Sequence, residues 1–519
     1  MSAAAPFEYR RHRPERGALY QVVAETYRTL EAASEEGFVA ALPSFVKDEF
    51  ETYLDCGILA HGFGLLQCES HDCRQKVLVA FSCKGRAWCP SCIGRRMCQS
   101  AANWVEHVLP HQRVRQFVLT FPFELRARLA YDRELFGGLT KIFNDCVLGF
   151  YRRALRDLYG AGSGEGGAIT VTQRTSSDLR LNPHLHQLAL DGVYVGGEGG
   201  ELVFHPLPTI TNADVADLLD VICVRMLAFL ERKGVIEDRL DPRLADDGFA
   251  EREPALASLA SSAVTGNMPA GPEERQREPI RLRSDGSDRS VSGLSARQCG
   301  FSLHAATTAP AHDARARETL CNYVLRPPLA EQRVKKLPNG LVRVELKRPF
   351  SDGTIAIDLD PLSFMCRLAA AVPPPRAHLV RYSGVLSAAH RWRERVVPPP
   401  PETDENDATC EHGHPLGEGE AEPLPTTHRS RYRPWRELLK RTFAVDLEQC
   451  TKCGARLVLR ALITAAQSVA RFLRKIGEDP NPPPIAPARA PPFFRLPALR
   501  RAAGELEGGM SGQVELSGV

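Results

Sequence analysis

The chain of 519 residues lacks any apolar run approaching the roughly 20 residues that a membrane helix needs, which excludes a helical membrane protein. Nor is a secretory leader expected. MSAAAPFEYRRHRPERG places arginines where the apolar stretch of a signal would stand, so the expected compartment is the cytoplasm. A strong charge of one sign is absent too: 66 Lys and Arg stand against 63 Asp and Glu, a net of +3. Any nucleic-acid surface must therefore be regional rather than global. No internal repeat is visible.

What is present is length and cysteine. At about 150 residues per domain the chain holds three or four units, more than one core can serve. There are 15 cysteines, and in a reducing compartment clustered cysteines read as metal ligands rather than disulfides. Five of them fall between 68 and 92, in CESHDCRQKVLVAFSCKGRAWCPSCIGRRMCQS. Zinc takes four thiolate or imidazole ligands in a tetrahedron, and pairs on tight turns supply that geometry. Cys89-Pro-Ser-Cys92 forms one pair. Cys68 and Cys73 form the other, with His71 between them, so either Cys73 or His71 completes a structural Zn²⁺ site. Cys83 reads as a core thiol. Lys84, Arg86, Arg95 and Arg96 surround the module and present positive charge to phosphates. Cys450 and Cys453 make half of a further site, for which Cys410, His412 and His414 are the nearest candidates in sequence.

The order of elements organises the rest. Residues 1–67 read as a helical arm and 68–110 as the zinc-binding module. From 111 to 250 the pattern runs strand, helix, strand, strand, helix, and a further strand and helix follow within 299–395. This is an α+β domain with an antiparallel sheet and helices on one face. Residues 251–298, with no Phe, Trp or Tyr, read as a disordered insertion that splits it. Asn339-Gly340 and Asp352-Gly353 punctuate a meander in which Arg333, Lys335 and Lys336 begin a basic run suited to tracking DNA. An acidic linker (396–430), a basic helical unit (431–480) and a Pro-rich tail (481–519) end the chain.

Two motifs carry chemistry. In His184-Leu-His186, on a strand, residues i and i+2 face one way, about 7 Å apart along the chain, so both imidazoles converge on one volume. Tyr323 lies on a helix ended by Arg326-Pro327-Pro328. Together with FSCKGRAWCPSCIGRRM, LNPHLHQLALDGVYV, GFSLHAA and YVLRPPLAEQR, these resemble the HUH-type transposases of rolling-circle insertion sequences, the IS91 type with its common-region relatives. The resemblance covers most of residues 50–395 and implies an HUH nuclease-type sheet.

It implies further that Tyr323 attacks single-stranded DNA at the element's ends and at the target, leaving a 5′-phosphotyrosine. His184 and His186 would hold Mg²⁺ or Mn²⁺. Hard cations want more ligands than two imidazoles. His304, on a strand expected beside that of the histidines, is the candidate third ligand, with Gln187 and Asp191 in reserve. Arg326, one helical turn from Tyr323, either clamps the attacked phosphate or anchors the chain turn. Where two-tyrosine members carry their second tyrosine this chain has Thr319, so a one-tyrosine enzyme is expected. A plasmid replication initiator or relaxase would use the same chemistry, and an inert zinc-containing DNA-binding protein is the non-enzymatic alternative.

Overall fold

The computed structural model describes residues 12–37, 39, 41–159, 164–197, 199–238, 248–265, 280–283, 293–399 and 449–490. The N-terminal part holds α1 (Ala18–Glu35), α2 (Ser44–Asp55), the hairpin β1 (Phe63–Cys68) and β2 (Lys76–Ala80), and α3 (Pro90–His107). Next come β3 (Val114–Thr120), α4 (Arg126–Tyr131), α5 (Arg133–Tyr159), β4 (Gly167–Thr175), β5 (Leu181–Leu190), the hairpin β6 (Gly192–Gly196) and β7 (Leu202–Pro206), and α6 (Asn212–Arg232). They are followed by α7 (Phe249–Arg252), α8 (Pro254–Thr265), β8 (Ile280–Arg283), β9 (Ser295–Gln298), β10 (Phe301–His304), β11 (Thr308–Ala309) and α9 (Ala314–Leu325). The described chain closes with β12 (Val334–Lys336), β13 (Val342–Glu345), β14 (Thr354–Leu359), α10 (Pro361–Ala371), β15 (Val380–Gly384), α11 (Arg393–Val396), β16 (Leu457–Ile463) and α12 (Ala466–Lys475).

The central sheet is antiparallel, in the order β15-β4-β5-β3-β10-β9 with β11 also beside β3. The fold is α+β, as the element pattern predicts. Alternation along β5 sorts its side chains by face. Leu185 and Ala189 join the core that α5 and α6 build with Leu139, Phe143, Val147, Leu219 and Met226. Leu188 and Leu190 point the other way, into a second core with Trp104 of α3 and Leu320 and Val324 of α9. Helices therefore occupy both faces, not only the one expected, and the tyrosine helix lies on the face that His184 and His186 share.

Local chemistry sets the helix ends. Thr211 and Asp214 form a capping box at the start of α6, and the next side chain, Asn212, accepts the Leu294 N–H. Asp313 caps α9 through the Ala316 N–H at 2.8 Å, and Arg326, preceding a proline, leaves the helical region.

Three expectations about organisation change. The 251–298 stretch contains α8, whose Leu259, Ala260, Ala263 and Val264 are buried in the N-terminal core, and β8, which pairs with β14. An Ala- and Leu-based helix needs no aromatics to bury an apolar stripe. The arm and zinc module are one unit, because β1 begins before residue 68. The C-terminal unit is a strand and a helix: β16 completes a sheet in the order β16-β1-β2. The linker from 400 onward and the tail from 491 lie outside the described residues. No helix among the described residues is long and apolar enough to cross a membrane.

Candidate active site and cysteine clusters

His184 and His186 stand side by side with ring centroids 4.9 Å apart, and the Tyr323 ring meets His186 edge-on at 5.9 Å. The strand and the helix that carry these motifs are thus brought to one point. The side chain of Gln173, opposite His184 on β4, donates to the Val324 carbonyl at 2.8 Å and pins the last turn of α9 to the sheet. Tyr323 remains 39% exposed. The guanidinium of Arg326 stacks over its ring at 4.2 Å.

Both imidazoles are held neutral. Burial, with Arg326 nearby, pushes His184 down to about 4, although its bond to the Asn182 backbone pulls the other way. Burial pushes His186 well below the ordinary value, helped by His184 and Arg326. His184 places Nδ1 2.7 Å from the Asn182 carbonyl oxygen, so Nδ1–H donates there and Nε2 keeps the lone pair. The side-chain amide nitrogen of Gln116 lies 2.7 Å from His186 Nδ1 and orients this imidazole through that contact. Nε2 of His186 is buried with no protein partner.

Two clefts of about 460 and 920 Å³ meet here and share Asn182, His184, Tyr323, Arg326 and Arg348. The smaller is also lined by Arg86, Arg96, Arg174 and Lys347, and by no carboxylate. The larger adds Arg315 and one acid, Asp313, and Thr319 lines it one turn before Tyr323. Of the DNA contacts expected from sequence, Arg86 and Arg96 line the smaller cleft while donating to the Ala377 carbonyl and to the Gly85 and Lys84 carbonyls, whereas Arg95 donates to Ser82 and Lys84 is exposed outside the cleft lining. The Arg333 guanidinium lies outside both cleft linings and donates to the Ser177 and Glu345 carbonyls. Lys335 pairs with Glu345 and Lys336 with Glu25, so the start of the meander is neutralised. Lys347 and Arg348, at the end of the same basic run, are the residues that reach the cleft.

The third-ligand expectations also change. β3 intervenes between β5 and β10, which sets His304 about two strand spacings, roughly 10 Å of backbone, from His186. It lines the larger cleft. Among the described residues, no group of three His, Cys, Asp or Glu ligand atoms within 4.8 Å of one another includes these histidines. Gln187 and Asp191 point to the opposite face. Gln187 donates to Asn144, and Asp191 accepts from Tyr151 at 2.8 Å and from Arg115 at 3.0 and 3.1 Å.

The cysteines group differently from their order in the sequence. Cys56, Cys83, Cys89 and Cys92 bring their sulfurs within 4.8 Å of one another and can hold zinc. Hydrogen bonds from Cys56, Cys83 and Cys89 hold the Cys92 thiol well below its ordinary value. Cys83 is therefore a cluster member rather than a core thiol. Cys68 and Cys73 face Cys450 and Cys453. The reason is the β1–β2 hairpin: Cys56 and Cys83 lie at its base and Cys68 and Cys73 at its tip, about 17 Å apart for five paired residues, too far to share an ion. His71 is exposed and takes no part. Cys410, His412 and His414 lie outside the described residues.

A DNA-processing enzyme with its own zinc-binding module is the class of protein that this arrangement and the comparisons define. Residues 167–394 match the family model described as "Putative transposase", and residues 25–121 match that of the "Transposase zinc-binding domain". The chain belongs to the IS91-type transposases. No curated protein and no solved structure matches it.

Proposed function

We propose that the protein nicks and rejoins single-stranded DNA at the ends of an insertion sequence, with Tyr323 as nucleophile. The observation that carries this reading is the 5.9 Å approach of the Tyr323 ring to His186, where two clefts meet whose charged lining is cationic apart from Asp313. A strand laid through both clefts would bring one phosphodiester to the tyrosine.

The phenolic oxygen forms a bond to phosphorus, the bond to the 3′ oxygen breaks, and the phenolic proton ends on the departing 3′-hydroxyl. A 5′-phosphotyrosine results. One phosphodiester is exchanged for another, so a 3′-hydroxyl can reverse the step without ATP. Arg326, on the Tyr323 ring, is suited to hold the attacked phosphate through its planar N–H groups.

The partnerless Nε2 of buried His186, beside the oriented ring of His184, fits a divalent cation held by both. Bound there, Mg²⁺ or Mn²⁺ would polarise the phosphate oxygens, with water and phosphate completing its shell.

Labelled single-stranded oligonucleotides carrying the element's ends test the reading. A denaturant-stable protein–DNA adduct is expected with Mg²⁺ or Mn²⁺, and Tyr323→Phe and chelation should each abolish it. Tight binding with no adduct would instead identify an inert DNA-binding protein.

A further inference from the structure

We infer that Cys68, Cys73, Cys450 and Cys453 bind a second zinc ion, and that this ion fastens the returning C-terminal segment to the N-terminal module. The four sulfurs lie within 4.8 Å of one another, with Cys68 to Cys453 at 3.4 Å and Cys73 to Cys450 at 3.6 Å. A disulfide needs about 2.05 Å between sulfurs, whereas thiolates about 2.3 Å from a tetrahedral zinc stand roughly 3.8 Å apart. All four are free thiols, spaced as the zinc requires.

Each pair sits on a tight turn of its own. Cys450 N–H donates to the Ala455 carbonyl and Gly454 N–H to the Cys450 carbonyl, both at 2.7 Å, with Gly454 at φ 75 in the left-handed region. On the other side Arg74 N–H donates to the Ser70 carbonyl at 3.1 Å and Cys68 N–H to the Gln75 carbonyl at 2.8 Å. Two half-sites, 377 residues apart, are thus preshaped and face each other.

The segment needs such a clasp. Around the thiols, the buried apolar residues among those described are Leu66 and Leu457, with Val77, Val79 and Ala455 partly buried, a small core for a strand that arrives through a long connection. From this point β16 pairs with β1 from Cys68↔Leu457 to Phe63↔Ile463, and Val469 and Leu473 of α12 pack on Leu59 and Phe63. Farther on, Ala486 N–H donates to the Ala24 carbonyl of α1 at 2.9 Å. Among the described residues, the zinc would stand at the end of the returning segment where its pairing with β1 begins. Through it, the exposed Lys452, Arg456, Arg460, Arg471, Arg474 and Lys475 become part of the module's surface.

Elemental analysis of the purified full-length protein tests the site. Two zinc ions per chain are expected, falling to one in Cys450→Ser/Cys453→Ser. A single zinc in the parent, two retained in the variant, or iron in place of the second zinc would overturn the assignment. The clasp is tested by a site-specific protease sequence inserted within 404–422. After cutting, the two parts of the parent should co-elute, and those of Cys450→Ser/Cys453→Ser should separate. Separation in the parent, or co-elution in the variant, rejects the clasp. Neither readout involves strand cleavage, so loss of the tyrosine chemistry leaves both standing.

Discussion

Asp178 shows how one side chain at a distance from the tyrosine shapes the site. It is buried in the turn between β4 and β5, where its carboxylate accepts from Arg180 at 2.6 Å and from the Ser176 hydroxyl at 2.5 Å. Burial alone would raise its pKa, but Arg180, Ser176 and Arg367 outweigh it, so the carboxyl sits below the usual value. A depressed folded pKa contributes stability that is present above the unfolded value, about 3.9, and is lost as pH falls through the folded one. Asp178→Asn should therefore cost about 1–3 kcal/mol at pH 7, and the gap between parent and variant should narrow below pH 4. Urea melts at both pH values would check this, and an unchanged gap in acid would remove the charge from the account. Residue identities at the tyrosine were legible in the sequence, because His-x-His on a strand and a tyrosine before Arg-Pro-Pro announce themselves locally. The partners Gln116, Gln173 and Asn182 were not, because each meets its histidine or helix only across a strand or turn.

The relation between α9 and the sheet decides where the phenol stands. Gln173 makes it through the Val324 carbonyl, at the end of a helix that Asp313 caps and Arg317 anchors to the Leu109 and Pro110 carbonyls. Gln173→Leu removes the bond at the tyrosine end alone. Its stability cost should be about 1 kcal/mol, while adduct formation at saturating DNA slows by up to about 100-fold, since a misplaced reacting group loses far more in rate than in stability. Comparing melting with single-turnover rates decides it: equal losses in the two would mean that Gln173 only holds the fold. Strand alternation and helix periodicity predicted α5, α6, α9 and β5 well. They failed at α8, where composition without aromatics hid a buried stripe, and at His304, because sequence order does not reveal that β3 lies between β5 and β10.

Across the molecule, the zinc-binding unit and the sheet are joined at the smaller cleft, where Arg86 and Arg96 from the cysteine loop and α3 face Tyr323 and Arg326. Replacing Cys89 and Cys92 by Ser should release the zinc held with Cys56 and Cys83 and loosen that wall. The expected result is weaker DNA binding with the adduct rate at saturating DNA largely kept, because the tyrosine, the histidines and the sheet do not pass through that cluster. Binding titrations beside single-turnover cleavage would show it, and unchanged affinity would separate the zinc unit from DNA contact.

The sequence by itself determined the chemical inventory: which residue types exist, which neighbours share a strand face, where the tyrosine helix stops, and that thiols cluster. Those are short-range consequences of backbone geometry and propensity. Only the tertiary structure decided which thiols meet, which lysines are neutralised by acids from distant elements, and which face each carboxylate and imidazole finds. Those outcomes depend on strand order and on the length of one hairpin, and contacts between residues hundreds of positions apart leave no local mark in the chain.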